Sequence, residues 1–202
     1  MDKVKEELGR RRLVPVAVAE TAARAEEILG ALGDGGLPVA EMTFRTACAA
    51  QAIRDGRKNH PDMLIGAGTV INAGQCREAL DAGAQFIVGP GFSQAVAAVC
   101  REAGVLYLPG CATPTEIMAA LDEGIDIVKF FPAGVYGGPK AIKSIGAAFP
   151  GVRFVPTGGV DAGNLADYLA LGNVFAVGGS WMLKGTRAEM TDKVRAAVAL
   201  LG

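Results

Sequence analysis

The chain has 202 residues, half of them hydrophobic, and a formal net charge of −1. That length suits one domain with a real core, and that apolar content argues against disorder. The balanced charge gives no global pull toward nucleic acid or an anionic membrane, so neither is an expected partner.

In chain order, residues 1–12 carry the pattern of a short amphipathic helix, and 13–18 (Leu-Val-Pro-Val-Ala-Val) that of a strand. Thr21 caps a helix that Gly33 ends, and 39–43 (Val-Ala-Glu-Met-Thr) read as the second strand. A helix over 47–58 and a strand over 63–66 follow. Asn72 and Ser93 cap the next two helices, with strands at 85–88 and 105–108. Thr113-Pro114-Thr115-Glu116 is a capping box with Pro at the first helical position. The strand 125–130 follows that helix. A helix over 139–148, a strand over 152–155, a helix capped by Asp161 and a strand over 174–177 complete the alternation, and 187–201 form a last helix. The glycines that precede strands, at 83, 104, 124, 151 and 172, recur at intervals of 21, 20, 27 and 21 residues.

A helix–Gly–strand unit repeated at that interval is a run of βα modules. The predicted fold is therefore α/β: a (β/α)8 TIM barrel over 13–202 with an additional short N-terminal helix over 1–12, in a single domain over 1–202. An open doubly wound sheet is the competitor, but no G-x-G-x-x-G follows the first strand. The four cysteines form no C-x-x-C pair, so reduced, buried thiols are expected rather than disulfides or zinc. The charged N-terminus lacks a signal-peptide-like apolar stretch, and no run of about 18 apolar residues exists to span a membrane. A soluble, cytoplasmic protein is expected.

In such a fold chemistry belongs at the carboxyl ends of the strands. Seven of those ends carry Gly, Pro, Thr, Ser or ionisable groups, while the strand bodies are apolar. Lys129 ends the strand Ile-Asp-Ile-Val-Lys-Phe, where a packed core has no use for an ammonium group. It must reach an opening, find an anionic partner or lose its proton; a neutral amine there can attack a carbonyl carbon. The plain alternative is a lysine snorkelling into solvent.

Glu41, between Ala40 and Met42, must point into the barrel, where Schiff-base chemistry needs a group that both takes and gives protons. Arg45 offers a planar fork for a carboxylate, although Glu41 and Arg45 could also form a mere loop ion pair. Thr157-Gly158-Gly159 and Gly178-Gly179-Ser180 end the last two strands, where barrels often build phosphate sites from backbone N–H groups; simple βα turns are the alternative. His60, the sole histidine, reads as a solvated loop residue. With one histidine and no acidic cluster, neither a metal site nor a serine triad is expected.

The segments E-M-T-F-R-T (41–46), G-A-G-T-V (66–70), G-P-G (89–91), K-F-F-P-A (129–133), P-T-G-G-V (156–160) and G-G-S-W (178–181) resemble, in order and spacing, those of the 2-keto-3-deoxy-6-phosphogluconate (KDPG) and 4-hydroxy-2-oxoglutarate (KHG) aldolases. The resemblance implies a class I aldolase without metal or cofactor, usually a homotrimer, acting on pyruvate and a phosphorylated 2-keto-3-deoxy sugar acid in the Entner–Doudoroff pathway. It implies Lys129 as the Schiff-base lysine and Glu41 as the general acid/base. By the same resemblance Arg45 and Thr69 would hold the pyruvate carboxylate, Pro90 and Phe131 would line the pyruvyl pocket, and Thr157, Gly158, Gly159, Gly179 and Ser180 would bind the distal phosphate or polar tail. Arg45 favours the gluconate/oxoglutarate branch over the similar galactonate branch. The Gly-rich 33–38 stretch departs from the family pattern, at the end away from the chemistry. The rivals are KHG cleavage, a phosphate-binding isomerase or decarboxylase barrel, and a non-catalytic oligomeric scaffold.

Overall fold

Side-chain caps set where five of the nine α-helices among the described residues begin. The computed structural model describes residues 1–201. Thr21, Asn72, Ser93 and Thr113 each accept a bond from the backbone N–H three residues on, starting α2 (Ala22–Asp34), α4 (Ala73–Asp81), α5 (Gln94–Ala103) and α6 (Pro114–Asp122). A second capping box, Thr186 with Glu189, opens α9 (Arg187–Ala199). The remaining helices are α1 (Asp2–Arg11), α3 (Ala49–Asn59), α7 (Gly138–Gly146) and α8 (Leu165–Leu169).

Between them run β1 (Leu13–Ala17), β2 (Val39–Thr43), β3 (Leu64–Gly68), β4 (Phe86–Val88), β5 (Leu106–Leu108), β6 (Ile127–Phe130), β7 (Arg153–Pro156) and β8 (Val177–Gly179). All pairings are parallel. Six strands run in the order β5-β4-β3-β2-β1-β8, and β6 pairs with β7. Bridges Gly110↔Lys129 and Thr157↔Gly178 join the two groups at both edges. The result is a curled parallel sheet with alternating helices, a (β/α)8-barrel-like fold.

Period-two alternation sorts the side chains. Val14, Val39, Leu64, Phe86, Leu106 and Ile127 join one apolar cluster that receives a single buried helical residue, Leu8 of α1. It is the interior of the curled sheet, and Leu8, wholly buried, closes its lower end. The larger cluster lies between strands and helices. Continuing the alternation along β2 and β6 puts Glu41, Thr43 and Lys129 inside.

Several expected boundaries move. Helix α2 runs on to Asp34, with Gly35 rather than Gly33 as its cap, and α3 begins at Ala49 rather than 47. Strand β3 continues to Gly68, and β8 begins at Val177, three residues after the expected start at 174, and takes in Gly178 and Gly179. Glycine is a poor strand former by propensity, so these stretches look like loops until their neighbours are known. Asp161 does not cap α8; its carboxylate accepts from Gly163 N–H, its own N–H donates to the Asn164 side chain, and Asn164 is the cap position. These local bonds compete with the helix and delay its start. Among the described residues no helix is long and apolar enough to cross a membrane.

Leu8→Ala is expected to destabilise the fold by about 2–5 kcal/mol, read as a lowered urea midpoint; an unchanged midpoint contradicts the plug. At the α6 cap, burial opposes ionisation of Glu116, but bonds from Ala112 N–H, Thr113 N–H and the Thr113 hydroxyl outweigh it and hold the carboxyl below the usual range. Its contribution is full above the unfolded value of about 4.3 and lost as pH falls through the lower folded value. The stability gap between the parent chain and Glu116→Gln should therefore shrink as urea titrations move into that acid window, and a pH-independent gap contradicts it.

Candidate active site

Lys129 is held by both neighbours of its strand. Its N–H donates to Pro109 O at 2.7 Å and its carbonyl accepts from Cys111 N–H at 2.8 Å, across the β5–β6 junction. In register with Val155 of β7, it turns its side chain into the barrel. There Nζ donates to Glu41 Oε1 at 3.3 Å, with only 5% and 3% of the two side chains exposed. Of the three outcomes open to a lysine at this strand end, the molecule adopts the anionic partner. The Phe131 ring lies beside the ammonium, its centroid 5.4 Å from Nζ.

Glu41 reaches this position because β3 has no side chain in its way. Its carboxyl group lies against Gly68, where any Cβ would collide with it. The expected alternative, a Glu41–Arg45 pair, does not form: Arg45 is exposed and donates from Nε to Thr69 Oγ1 at 3.0 Å. Thr69 has φ 56°, the left-handed region that a β-branched residue enters only at a cost. That conformation is tied to the hydroxyl that meets Arg45.

A cavity of about 170 Å³ opens above the pair, lined by Lys129, Arg45, Phe131, Thr157, Gly158, Gly159, Gly179 and Ser180 among others. Gly158 and Gly159 have φ of 88° and 76°, a turn that only glycine makes without strain. Gly179 leaves room for the Trp181 ring, which a Cβ would strike. Val16, Val18 and Val160 complete the lining. The alternation Val14-Val16-Val18 is the sequence signal for that wall, and an apolar strand end has no ionisable group to mark it.

Three predicted residues stand apart from the lining: Thr69, Pro90, and Glu41, which meets it only through Lys129. Thr69 joins it only through Arg45, and Pro90 is exposed at the end of β4. His60 is not solvated as expected: its Nε2 lies 2.8 Å from Glu26 Oε1 and the side chain is 21% exposed, because the loop folds back on α2. Three cysteines are buried and Cys48 is half-buried. Among the described residues no three His, Cys, Asp or Glu side chains cluster as metal ligands would. A larger cavity, about 240 Å³, lies at the start of β5 and β6 beside α1. Four of its charges pair, Lys5 with Asp126 and Arg101 with Glu123, and no amine–carboxylate pair is buried in it.

A buried lysine facing a carboxylate at the mouth of a parallel α/β barrel defines an enzyme built to attack carbonyl carbon. The chain belongs to the KDPG and KHG aldolase family, whose model matches residues 4–197. It is similar to the 2-dehydro-3-deoxy-phosphogluconate aldolase of Treponema pallidum, 47% identical over 178 residues that cover 88% of this chain and 85% of that one. Among solved structures it is similar to the 2-keto-3-deoxy-6-phosphogluconate aldolase of Zymomonas mobilis with 3-phosphoglycerate (TM-score 0.93, 38% identity, 98% of this chain and 96% of that one). It is also similar to the KDPG aldolase of Legionella pneumophila with pyruvate captured as a covalent carbinolamine (TM-score 0.88, 36% identity, 98% and 95%).

Gly68→Ala is expected to displace the Glu41 carboxylate from Lys129 and lower turnover by roughly 100-fold or more with the circular dichroism spectrum unchanged. Turnover within a fewfold of the parent chain contradicts the Gly68 role.

Proposed function

We propose that this chain is a class I aldolase that reversibly cleaves 2-dehydro-3-deoxy-6-phosphogluconate to pyruvate and glyceraldehyde 3-phosphate. The observation that carries this is the buried Lys129–Glu41 pair, 3.3 Å apart, whose lysine lines the cavity. Transfer of a proton from Nζ to Glu41 leaves an amine with a lone pair beside the substrate. Nζ bonds to C2 of the ketone, and Glu41 relays one proton from Nζ to the C2 oxygen, giving a neutral carbinolamine with Glu41 still protonated. Glu41 then protonates the C2 hydroxyl, which leaves as water, and the nitrogen lone pair forms the iminium. Glu41, now a carboxylate, takes the C4 hydroxyl proton, the C3–C4 bond breaks and its electrons enter the iminium as an enamine. Protonation at C3 and addition of water release pyruvate and restore Lys129.

The remaining roles follow from position. The Arg45 guanidinium, braced on Thr69 Oγ1, takes the pyruvyl carboxylate, and Phe131 forms a wall of the pyruvyl pocket. Pro90, beyond the cavity lining, would meet the pyruvyl group from the β4 exit. The turn Thr157-Gly158-Gly159 with Gly179 and Ser180 takes the distal phosphate. The 3-phosphoglycerate held by the Zymomonas relative supports a phosphate-ended partner here. An isomerase or decarboxylase would leave the Lys129–Glu41 pair without a task.

The family also covers 4-hydroxy-2-oxoglutarate, whose cleavage gives pyruvate and glyoxylate by the same steps and is the second activity. We further propose that the chain works as one domain, a closed (β/α)8 barrel with α1 as an extra helix, in a cytoplasmic homotrimer of the Entner–Doudoroff pathway. Apolar side chains exposed at Met118 and Leu121 on α6 and at Val135 and Tyr136 after β6 support burial against further copies.

Lys129→Ala is expected to lose all measurable aldol cleavage while keeping its fold; near-normal turnover overturns the mechanism. kcat/KM should be higher for the phosphorylated substrate than for 4-hydroxy-2-oxoglutarate, and the reverse order moves the principal activity to the latter.

A further inference from the structure

Among the described residues, one buried side-chain oxygen or nitrogen has no hydrogen-bond partner: Thr43 Oγ1, on a residue only 2% exposed. A hydroxyl in that state carries an uncompensated desolvation cost, and valine would fill nearly the same space without it. The hydroxyl therefore needs another reason to be there.

Its position supplies one. Thr43 follows Glu41 by two residues on β2, so both point into the barrel, with Thr43 one step nearer the mouth. Two residues of strand rise about 6.6 Å, but the Glu41 side chain closes that gap. Glu41↔Gly66 and Thr43↔Gly68 are the register pairs, yet the Glu41 carboxyl lies against Gly68. The carboxyl has climbed to the level of the threonine. One of its oxygens accepts from Lys129 Nζ. The backbone around Thr43 is committed, since Phe44 N–H donates to Gly68 O at 2.7 Å. The unpartnered hydroxyl and the Glu41 carboxyl thus share one level of the interior, beside the reactive amine.

We infer that Thr43 is a positioning residue for the water that enters and leaves at C2 of the imine. The inference rests on Schiff-base chemistry at Lys129. One O–H of this water points to Glu41 and the other to Thr43 Oγ1, so an oxygen lone pair faces C2. In hydrolysis the water oxygen bonds to C2, its proton passes to Glu41, and the C=N π pair returns to Nζ as the carbinolamine forms. Dehydration during imine formation is the reverse. Without the threonine acceptor the water keeps one anchor and loses its aim.

The test compares the parent chain, Thr43→Val and Thr43→Ser in the exchange of pyruvate methyl hydrogens with deuterated water, which requires imine and enamine but no aldol cleavage. Thr43→Val is expected to lower the maximal exchange rate roughly ten- to hundredfold with half-saturating pyruvate unchanged. Its melting temperature should stay equal or rise, since an unsatisfied hydroxyl has gone, and Thr43→Ser should recover most of the rate. A Thr43→Val rate within twofold of the parent, or no recovery in folded Thr43→Ser, overturns the assignment. So does a raised half-saturating pyruvate with the maximal rate intact, which would make Thr43 a carboxylate contact. If the parent chain itself exchanges no pyruvate hydrogen, imine chemistry at Lys129 falls and the Thr43 role falls with it.

Discussion

Two opposite charges held 3.3 Å apart inside an apolar barrel are the constraint on which the rest of this structure turns. At an effective dielectric near 20 their attraction is roughly 5 kcal/mol. Removing each ion from water costs several kcal/mol, so the pair does not repay its own burial. A barrel that only needed to be stable would place hydrophobic residues at both positions. The surroundings are shaped to tolerate the pair nonetheless. Gly68 clears the space that the Glu41 carboxyl occupies, and the β5–β6 junction fixes Lys129 at both its N–H and its carbonyl.

The same logic explains why interior glycines end up in strands. Gly66 lies under the Phe86 ring, Gly178 faces the Thr157 hydroxyl and Gly179 admits Trp181. Each absent Cβ lets a neighbour's side chain cross the barrel or pack its rim. Below them the interior is purely apolar and ends at Leu8. Above them the mouth gathers Arg45, braced on the strained Thr69, and the double-glycine turn at 158–159. A molecule of net charge −1 thereby concentrates cationic and N–H character where an anionic substrate would enter.

Much of this was legible in the sequence, because the signals were local. Caps at Thr21, Asn72, Ser93 and Thr113 depend on side-chain and backbone groups within three residues, and the glycine spacing marks the βα repeat. Lys129 and Glu41 stood out as charges in apolar strand ends, and most of the expected lining residues meet at one cavity. What stayed hidden depends on contacts distant in sequence. That Glu41 would choose Lys129, 88 residues away, over Arg45 requires the sheet to have curled until β2 faces β6. The strand character of Gly68 and Gly178 appears only with the side chains that overlie them. His60 found Glu26 through a loop folding back, and Asp161 lost α8 to the competing Asn164 and Gly163 bonds. Thr43 looked like an ordinary β-branched strand residue until its hydroxyl proved to have no partner.

The most direct measurement is the intact mass of the chain after incubation with pyruvate and sodium borohydride, followed by peptide mapping. A gain of one reduced pyruvyl group per chain, located on Lys129, is the expected result. Folded chain with Lys129 unmodified would contradict the central claim, that this buried amine exists to form an imine.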